Sequence, residues 1–231
     1  MKMTNEEGPM IIANSTANST ANSTGQAAAF DAVETEVPIV ETFHSIQGEG
    51  VWTGTSAFFI RLAGCDVGCS WCDTKPSWNV RRHPIRRVVD LIAEAKAANP
   101  AIVVITGGEP LMHDLGPLCT GLKAAGLQLH LETSGAHPFR GGFDWVTFSP
   151  KRFKPPHASI YPYVSELKVV VADSTDLAWA EHHAAKLSVG VVKFLQPEWN
   201  TPDSYALIFE YVLSHPEWRI SLQTHKFTNI R

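Results

Sequence analysis

Apolar residues follow two alternating rhythms along the chain. Short runs dense in Val, Ile, Leu and Phe predict strands in SAFFIRLAG (56–64), AIVVITGGEP (101–110), LQLHLETSG (127–135), DWVTFSPK (144–151), SELKVVVAD (165–173), GVVKFLQP (190–197) and a closing WRISLQTHK (218–226). Between them, PIRRVVDLIAEAKAANP (84–100) repeats apolar positions at helical spacing, with Pro84 near its start and Pro100 past its end. LMHDLGPLCTGLKAAG (111–126) also reads as helical, with Pro117 beginning a turn or kink, and further helices are expected near 174–187 and 202–214. Alternating strands and helices predict an α/β domain on a mostly parallel sheet with right-handed crossovers. In such sheets functional groups gather at the carboxyl ends of the strands. Here those ends read RLAGC, ITGGEP, LETSG, FSPK and FLQP, each with more glycine, proline, hydroxyl or charge than a turn needs.

Residues 1–36 break the pattern. ANSTANSTANST (13–24) repeats a polar four-residue unit three times, and such sequence buries too little apolar surface to offset its ordering entropy. The expectation is a disordered low-complexity leader over 1–36, with Met10 as an alternative start, and a catalytic domain over 37–231. Asn14, Asn18 and Asn22 each match the acceptor pattern for N-glycosylation, but the amino end carries Glu6 and Glu7 and its apolar stretch MII is too short for a signal-peptide core. The reading is therefore cytoplasmic, and no apolar run approaches the length that crosses a bilayer. At 231 residues, with 44% hydrophobic and 18% charged residues, one large core is expected. The net charge of −4 offers no electrostatic footprint for a nucleic-acid backbone, so no direct nucleic-acid partner is expected.

Three of the four cysteines lie in GCDVGCSWCDTKPSW (64–78). In a reducing compartment thiols are more often ligands or reactive groups than disulfide partners. Cys65, Cys69 and Cys72, spaced C-x₃-C-x₂-C on a loop leaving a strand, can converge on one centre, and soft sulfur favours zinc or an iron–sulfur cluster. A structural zinc site is normally closed by four ligands, and neither His44 nor Cys119 sits at a usual spacing to complete one. An iron–sulfur cluster usually also takes four cysteines, so three leave one iron open to a substrate or cosubstrate. Cys119, beside Leu118 and Leu122 in a helical pattern, reads as a buried small hydrophobe outside the centre.

The C-x₃-C-x₂-C spacing, with aromatic Trp71 before the third cysteine and GGEP (107–110) downstream, resembles the radical S-adenosylmethionine (SAM) superfamily. A finer resemblance, to the 7-carboxy-7-deazaguanine synthase family, runs in order through HSIQGEGVWTGTSAFFIRLAGCDVGCSWCDTKPSW (44–78), VVITGGEP (103–110), LETSG (131–135), VTFSPK (146–151), FLQP (194–197) and QTHKFTNI (223–230). It implies an incomplete (β/α) barrel of the radical SAM type; no helix is evident between Asp73 and Pro84, where the crossover is shortened. It implies a lyase that converts 6-carboxy-5,6,7,8-tetrahydropterin to 7-carboxy-7-deazaguanine with release of ammonia, on the route to 7-deazapurines such as queuosine in tRNA. The implied cofactors are a [4Fe–4S] cluster on the three cysteines, SAM chelating the fourth iron, and Mg²⁺. A 5′-deoxyadenosyl radical would take the hydrogen from C6 of the substrate and return it. A flavodoxin-type electron donor and a homodimer are implied as well. An activating enzyme that makes a glycyl radical on a partner protein shares the cysteine spacing but not QGEG or QTHK, and a zinc-stabilised binding module is the non-enzymatic alternative.

The resemblance assigns residues in turn. Gly107 and Gly108 let the backbone approach the SAM amino group with no side chain in the way, and Glu109 can accept from that ammonium. Ser134, Ser149, Pro150 and Lys151 match SAM-contacting segments, and Gln196 meets the adenosine end. Trp71, Cys72 and Asp73 place backbone against the adenine, or Trp71 shields the cluster. Thr74 supplies a Mg²⁺ ligand; a lone hydroxyl is a poor magnesium site, so substrate and water must complete it. Ile46, Gln47, Gly48 and Glu49 form the substrate segment, since a pterin edge offers donors and an acceptor that a Gln, a Glu and backbone groups satisfy. Thr106 and His225 join them. Arg61, among apolar neighbours, is either paired to an internal acid or open to an anionic ligand, and the substrate carboxylate favours the latter. His182 and His183 read as solvated. Whether the terminal carboxylate of Arg231 reaches the substrate is left open.

Overall fold

The computed structural model describes residues 35–230. Of the leader expected over 1–36, residues 1–34, with Met10, Asn14, Asn18 and Asn22, lie outside the described residues, as does the terminal Arg231, while Glu36 already opens the first strand. In chain order the elements are β1 (Glu36–Ile46), β2 (Ser56–Leu62), β3 (Ile85–Arg87), α1 (Val88–Ala98), β4 (Ile102–Gly107), α2 (Gly116–Ala124), β5 (Leu129–Thr133), β6 (Trp145–Phe148), β7 (Glu166–Val171), α3 (Ser174–Ala184), β8 (Val192–Pro197), α4 (Asp203–Ser214), β9 (Trp218–Ile220) and α5 (Thr224–Thr228). One sheet holds all nine strands in the order β3-β1-β2-β4-β5-β6-β7-β8-β9. β1 pairs antiparallel with β2 and β3, while β2 through β9 run parallel. The order has two ends, so the sheet is open and the barrel incomplete, as the family resemblance implied, and mostly parallel, as the pattern predicted.

Successive residues of a strand point to opposite faces, and the two faces differ in chemistry. Phe58, Ile60 and Leu62 of β2, Val103 and Ile105 of β4, Leu129 and Leu131 of β5, Phe148 of β6 and Leu167, Val169 and Val171 of β7 join the main core with Leu91, Leu118, Leu122 and Ile208 of the helices. Ala57 and Phe59 with Ile102 and Val104 form a small second cluster on the other face, packed by Phe43 and Trp52. Further along that face, toward the carboxyl ends, stand Arg61, Thr106, Glu132, Thr147, Lys168 and Gln196. A hydrophobic patch therefore floors a polar mouth, and the burial pattern positions the site.

Local chemistry sets the helix ends. Asp173 caps α3, accepting from Thr175 N, and Asp176 reciprocates in a capping box. Asn99 ends α1 in the left-handed region at φ 48°. Pro117 falls in the first turn of α2, where its missing N–H is harmless, so no kink forms.

The structure corrects several sequence expectations. β1 carries no strand assignment in the sequence reading because its polar positions (Glu36, Glu41, Thr42, His44) obscure the alternation; its residues are largely half-buried between two neighbours. The segment expected as a last strand over 218–226 divides into β9 and, after Ser221–Gln223, the helix α5. Ile85–Arg87 leave the helical pattern to pair with Glu36–Pro38 of β1. Between Asp73 and Pro84 there are two 3-10 turns, Lys75–Trp78 and Val80–Arg82. His183 is not solvated: it is 1% exposed, and its Nδ1 lies 2.8 Å from the Tyr161 hydroxyl.

Burial pushes His183 and His130 down to about 4, so both are neutral in the folded chain. A histidine whose folded pKa is depressed contributes stability that is complete above its unfolded value near 6.5 and is lost as pH falls through its folded value. The denaturant midpoint should therefore drop as pH is lowered from about 6.5 toward 4. The His130→Phe variant should flatten that limb in guanidinium titrations followed by circular dichroism.

Candidate active site

The carboxyl ends of the parallel strands surround one cavity of about 760 Å³. It is lined by the cysteine loop after β2, the turn after β1, the ends of β4 through β8, and α5. All the residues expected to hold the cluster, Mg²⁺, SAM or the substrate line it except Glu109 and Pro150.

The cysteine loop is held by the end of β4. Glu109 N donates to Gly64 O (2.8 Å) and Gly108 N to Leu62 O (3.0 Å). The two chains run so close that a Cβ at Gly107 would collide with the Leu62 backbone, and one at Gly108 with the Gly64 carbonyl, with Cys65 Cβ only 3.0 Å off. Gly107 also adopts φ +137°, which side chains rarely take. On its other side the loop is tied by Gly64 N to Ser77 O (2.7 Å) and Cys65 N to Trp78 O (3.3 Å). The 3-10 turn at Lys75–Trp78 thus braces the loop, a role the sequence does not announce.

Glu109 has a different task from the expected one. Its carboxylate is 1% exposed. It accepts from Leu111 N (3.0 Å), Thr133 Oγ1 (2.5 Å), Ser134 N (2.8 Å) and Ser134 Oγ (2.5 Å). Four donors fill its acceptor capacity, so it bolts the end of β4 to the end of β5. Pro150 is buried behind the cavity wall and offers its carbonyl to Trp179 Nε1 (3.5 Å).

Cys65 and Cys72 are half-buried and Cys69 is buried, all as free thiols facing the cavity. Burial raises the Cys65 thiol and pushes Cys69 up to about 11, so these sulfurs become thiolates only against a bound cation. Backbone N–H groups of Val67 and Gly68 bond the Cys65 sulfur, and Thr74 N donates to Cys72 Sγ (3.4 Å). Such donors suit cluster-bound thiolates. Among the described residues, no three His, Cys, Asp or Glu side chains gather around a single ion position. Three free thiols on one loop, two of their sulfurs bonded by backbone N–H groups, fit a cluster held by three thiolates. Cys119 is buried on α2, outside the cavity, and burial pushes its thiol up to about 11.

Beside the loop, Lys151 Nζ lies 5.3 Å from the Trp71 ring centroid and donates to Ser149 Oγ (2.5 Å). Burial lowers its ammonium below the usual lysine range. Thr74 Oγ1 donates to Asp73 Oδ1 (3.0 Å), and Lys226 of α5 reaches Asp73 Oδ2 (3.2 Å). Arg61, expected to favour an anionic ligand, is paired through Nε to Glu41 Oε1 (2.9 Å) and still lines the cavity. The internal acid is the partner that the structure records.

The turn Gln47–Gly50 closes the other part of the cavity wall. Gln47 Nε2 donates to Glu132 Oε1 (2.9 Å), and Thr106 Oγ1 to Glu132 Oε2 (3.0 Å). Glu49 forms a close ion pair with Lys168 and accepts from Gln223 Nε2 (2.9 Å). Burial would raise the Glu49 carboxyl, but the adjacent ammonium overrides it and holds the group below its ordinary value. Burial likewise opposes charge on Lys168, yet Glu49, Glu132 and Glu166 together hold it above the lysine range. Thr224 N and Oγ1 both donate to Gly48 O (3.0 and 2.9 Å), which docks α5 on the turn and sets the His225 ring against Gly48.

Sequence reasoning passed over Glu132, Lys168, Gln223 and Lys226. Lys168 had a signal, a lysine inside the apolar run SELKVVV on the same face as Glu166. Glu132 lay inside the quoted LETSG. Gln223 and Lys226 flank His225 in QTHK, and nothing but the fold brings them to Glu49 and Asp73.

Residues 59–161 match the Radical SAM superfamily model. A Synechocystis protein named 7-carboxy-7-deazaguanine synthase is 57% identical over 194 residues, covering 84% of this chain and 93% of its own length. An Escherichia coli protein of the same name is 35% identical over 222 residues, covering 84% of this chain and 99% of its own. The crystal structure of QueE from Escherichia coli superposes with a TM-score of 0.77 at 34% identity, covering 86% of this chain and 98% of that one.

Gly108→Ala should displace the cysteine loop: iron bound per chain after anaerobic reconstitution should fall several-fold, with loss of the cluster's visible absorbance. Gly142→Ala, where an added Cβ meets nothing within 4 Å, should bind iron like the parent.

Proposed function

The chain belongs to the 7-carboxy-7-deazaguanine synthase family of the radical SAM superfamily, and from that premise we propose how its cavity is used. It is a lyase that forms 7-carboxy-7-deazaguanine, with a [4Fe–4S] cluster, SAM and Mg²⁺ as cofactors and a small-molecule substrate. The family relationship removes the alternatives of a glycyl-radical activating enzyme and of a zinc-stabilised module. The observation that carries our reading is that the cysteine loop and the Gln47–Gly50 turn, 15 or more residues apart in sequence and on different strands, line one cavity.

In our reading Cys65, Cys69 and Cys72 hold the cluster. When bound, cluster and SAM supply a 5′-deoxyadenosyl radical. The backbone at Gly107 and Gly108, together with Ser134, Ser149, Lys151, Gln196 and the Trp71–Asp73 segment, holds SAM in place. Lys151 and Trp71 cover the cluster side and keep water away from the reacting atoms. At the other wall, Ile46, Gln47, Gly48, Glu49, Thr106 and His225 orient 6-carboxy-5,6,7,8-tetrahydropterin so that its C6 hydrogen is presented to SAM. Gln47 is fixed for this task by Glu132, which takes its amide N–H and leaves its carbonyl oxygen oriented toward the turn, where Glu49 N donates to it (3.2 Å).

The Thr74 hydroxyl is one ligand for Mg²⁺, which the substrate carboxylate and water complete. Such an ion, when bound, would supply Lewis-acid orientation of the substrate carboxylate, and Arg61 lines the same cavity to meet that carboxylate. An electron donor of the flavodoxin type, a homodimeric assembly and a cytoplasmic setting complete the proposal; among the described residues no helix is long and apolar enough to cross a membrane.

The decisive assay is anaerobic reconstitution with iron and sulfide, followed by SAM, Mg²⁺, a reductant and the carboxypterin, with the deazaguanine product read by chromatography. Product is expected from the parent, and its absence from a chain with a full cluster would overturn the reading. Cys72→Ala should abolish both the cluster and turnover. Thr74→Ala should keep the cluster spectrum while raising the Mg²⁺ concentration needed for half-maximal rate by about tenfold or more, the loss expected for one charge-assisted contact.

A further inference from the structure

We infer that Lys168 is a positioning residue for substrate recognition: its ammonium keeps Glu49 an anion aimed into the cavity, where the carboxylate accepts from the amino and ring N–H groups of a fused pyrimidinone. The inference rests on the proposed carboxypterin substrate and extends it to a residue that no sequence motif named.

The geometry carries it. Lys168 sits on β7 with 6% exposure, deep enough that water cannot neutralise its charge. Its Nζ reaches Glu49 Oε2, while Gln223 Nε2 takes Glu49 Oε1 (2.9 Å). An ionised carboxylate has about four acceptor sites. These two bonds engage both oxygens and leave acceptor capacity on a residue that lines the cavity, as Lys168 and Gln223 do. A fused pyrimidinone offers two adjacent donors, a pattern that a carboxylate accepts side by side, as it does a guanidinium. A neutral carboxyl could not match it, because one oxygen would then be a donor.

The surroundings explain why a lysine is required. Glu49 from the turn, Glu132 from β5 and Glu166 from β7 all act on Lys168. Lys151 after β6 and His225 on α5 also bear on this group of charges. Burial raises the Glu166 carboxyl, and Glu132 and Glu49 nearby raise it further while Lys168 opposes them. Glu166 accepts from Val51 N (2.9 Å), and a Cβ at Gly50 would run into its carboxylate. The same acid thus seats the turn that carries Glu49. With Lys168 removed, the burial that now yields to its charge would raise the Glu49 carboxyl and favour its protonated form.

The test is equilibrium binding of the carboxypterin to reconstituted protein with SAM and Mg²⁺ present and no reductant, between about pH 5.5 and 8. The parent should bind with an affinity that Glu49 leaves flat across this range. Lys168→Met should weaken binding by about 10- to 100-fold at neutral pH, and the loss should shrink as pH rises, up to tenfold per pH unit. Lys168→Arg should restore most of the affinity. Glu49→Gln, with Lys168 in place, should lose a similar factor equally at every pH. Reductive SAM cleavage without substrate should be unchanged in the two Lys168 variants, since Lys168 is not among the residues that hold the cluster or SAM. The inference is overturned if the parent binds and Glu49→Gln binds equally well, or if the Lys168→Met loss is the same at every pH and Arg does not rescue it. Failure of the parent itself to bind the carboxypterin would instead sink the substrate assignment.

Discussion

The contact on which the site depends is the passage of the β4 end against the first residues of the cysteine loop. Two amides, Gly108 N and Glu109 N, donate across this gap to Leu62 and Gly64, and no side chain fits between. An unpaired backbone group here would be buried without water, so the pairing is obligatory and the loop has little freedom to drift. Glu109 then ties the same corner to the end of β5 through Thr133 and Ser134. The chelating loop is thereby supported by two strands it does not follow in sequence. A cluster held by only three thiolates needs such support, because its fourth iron must stay open while the three sulfurs keep their positions.

Charge is organised differently at the two parts of the cavity. Near the cysteines, the buried ammonium of Lys151 stands over an aromatic ring and bonds a hydroxyl, with no described ion pair of its own. Near the Gln47–Gly50 turn, acids outnumber bases, and each buried carboxylate has named donors: Gln47 and Thr106 for Glu132, Lys168 and Gln223 for Glu49, Val51 N for Glu166. Breaking a buried, hydrogen-bonded ion pair such as Glu49–Lys168 costs about 3–5 kcal/mol. The polar mouth is therefore held in register by its own networks before any ligand arrives, which is the preorganisation that positioning chemistry requires.

The C-terminal segment ties these parts together. Ser221 Oγ donates to Gln196 Oε1 (2.9 Å) and receives Gly50 N (3.1 Å). Thr224 clasps Gly48, and Lys226 bonds Asp73 next to Cys72. Lys226 also stands 5.0 Å from the Trp199 ring centroid, so the loop after β8 joins the same wall. A short helix of five residues has little stability alone. α5 is kept in place by these contacts to the turn and the cysteine loop.

Sequence alone determined the strand and helix rhythm, the chelating spacing Cys65, Cys69 and Cys72, and the family resemblance, because each is a matter of residue type at short separation. It also determined that the carboxyl ends of the strands carry the polar residues, since a strand's alternation is written locally in runs such as ITGGEP and LETSG. Tertiary structure decided which partners those residues meet. Glu109 meets Thr133 and Ser134 rather than the cavity, Arg61 meets Glu41, and His183 enters the core beside Tyr161. Lys168 and Glu49 are 119 positions apart, as are no two members of any local motif. Only the parallel stacking of β7 near the turn after β1 brings them together, and their shared burial, not their sequence neighbours, sets their charge.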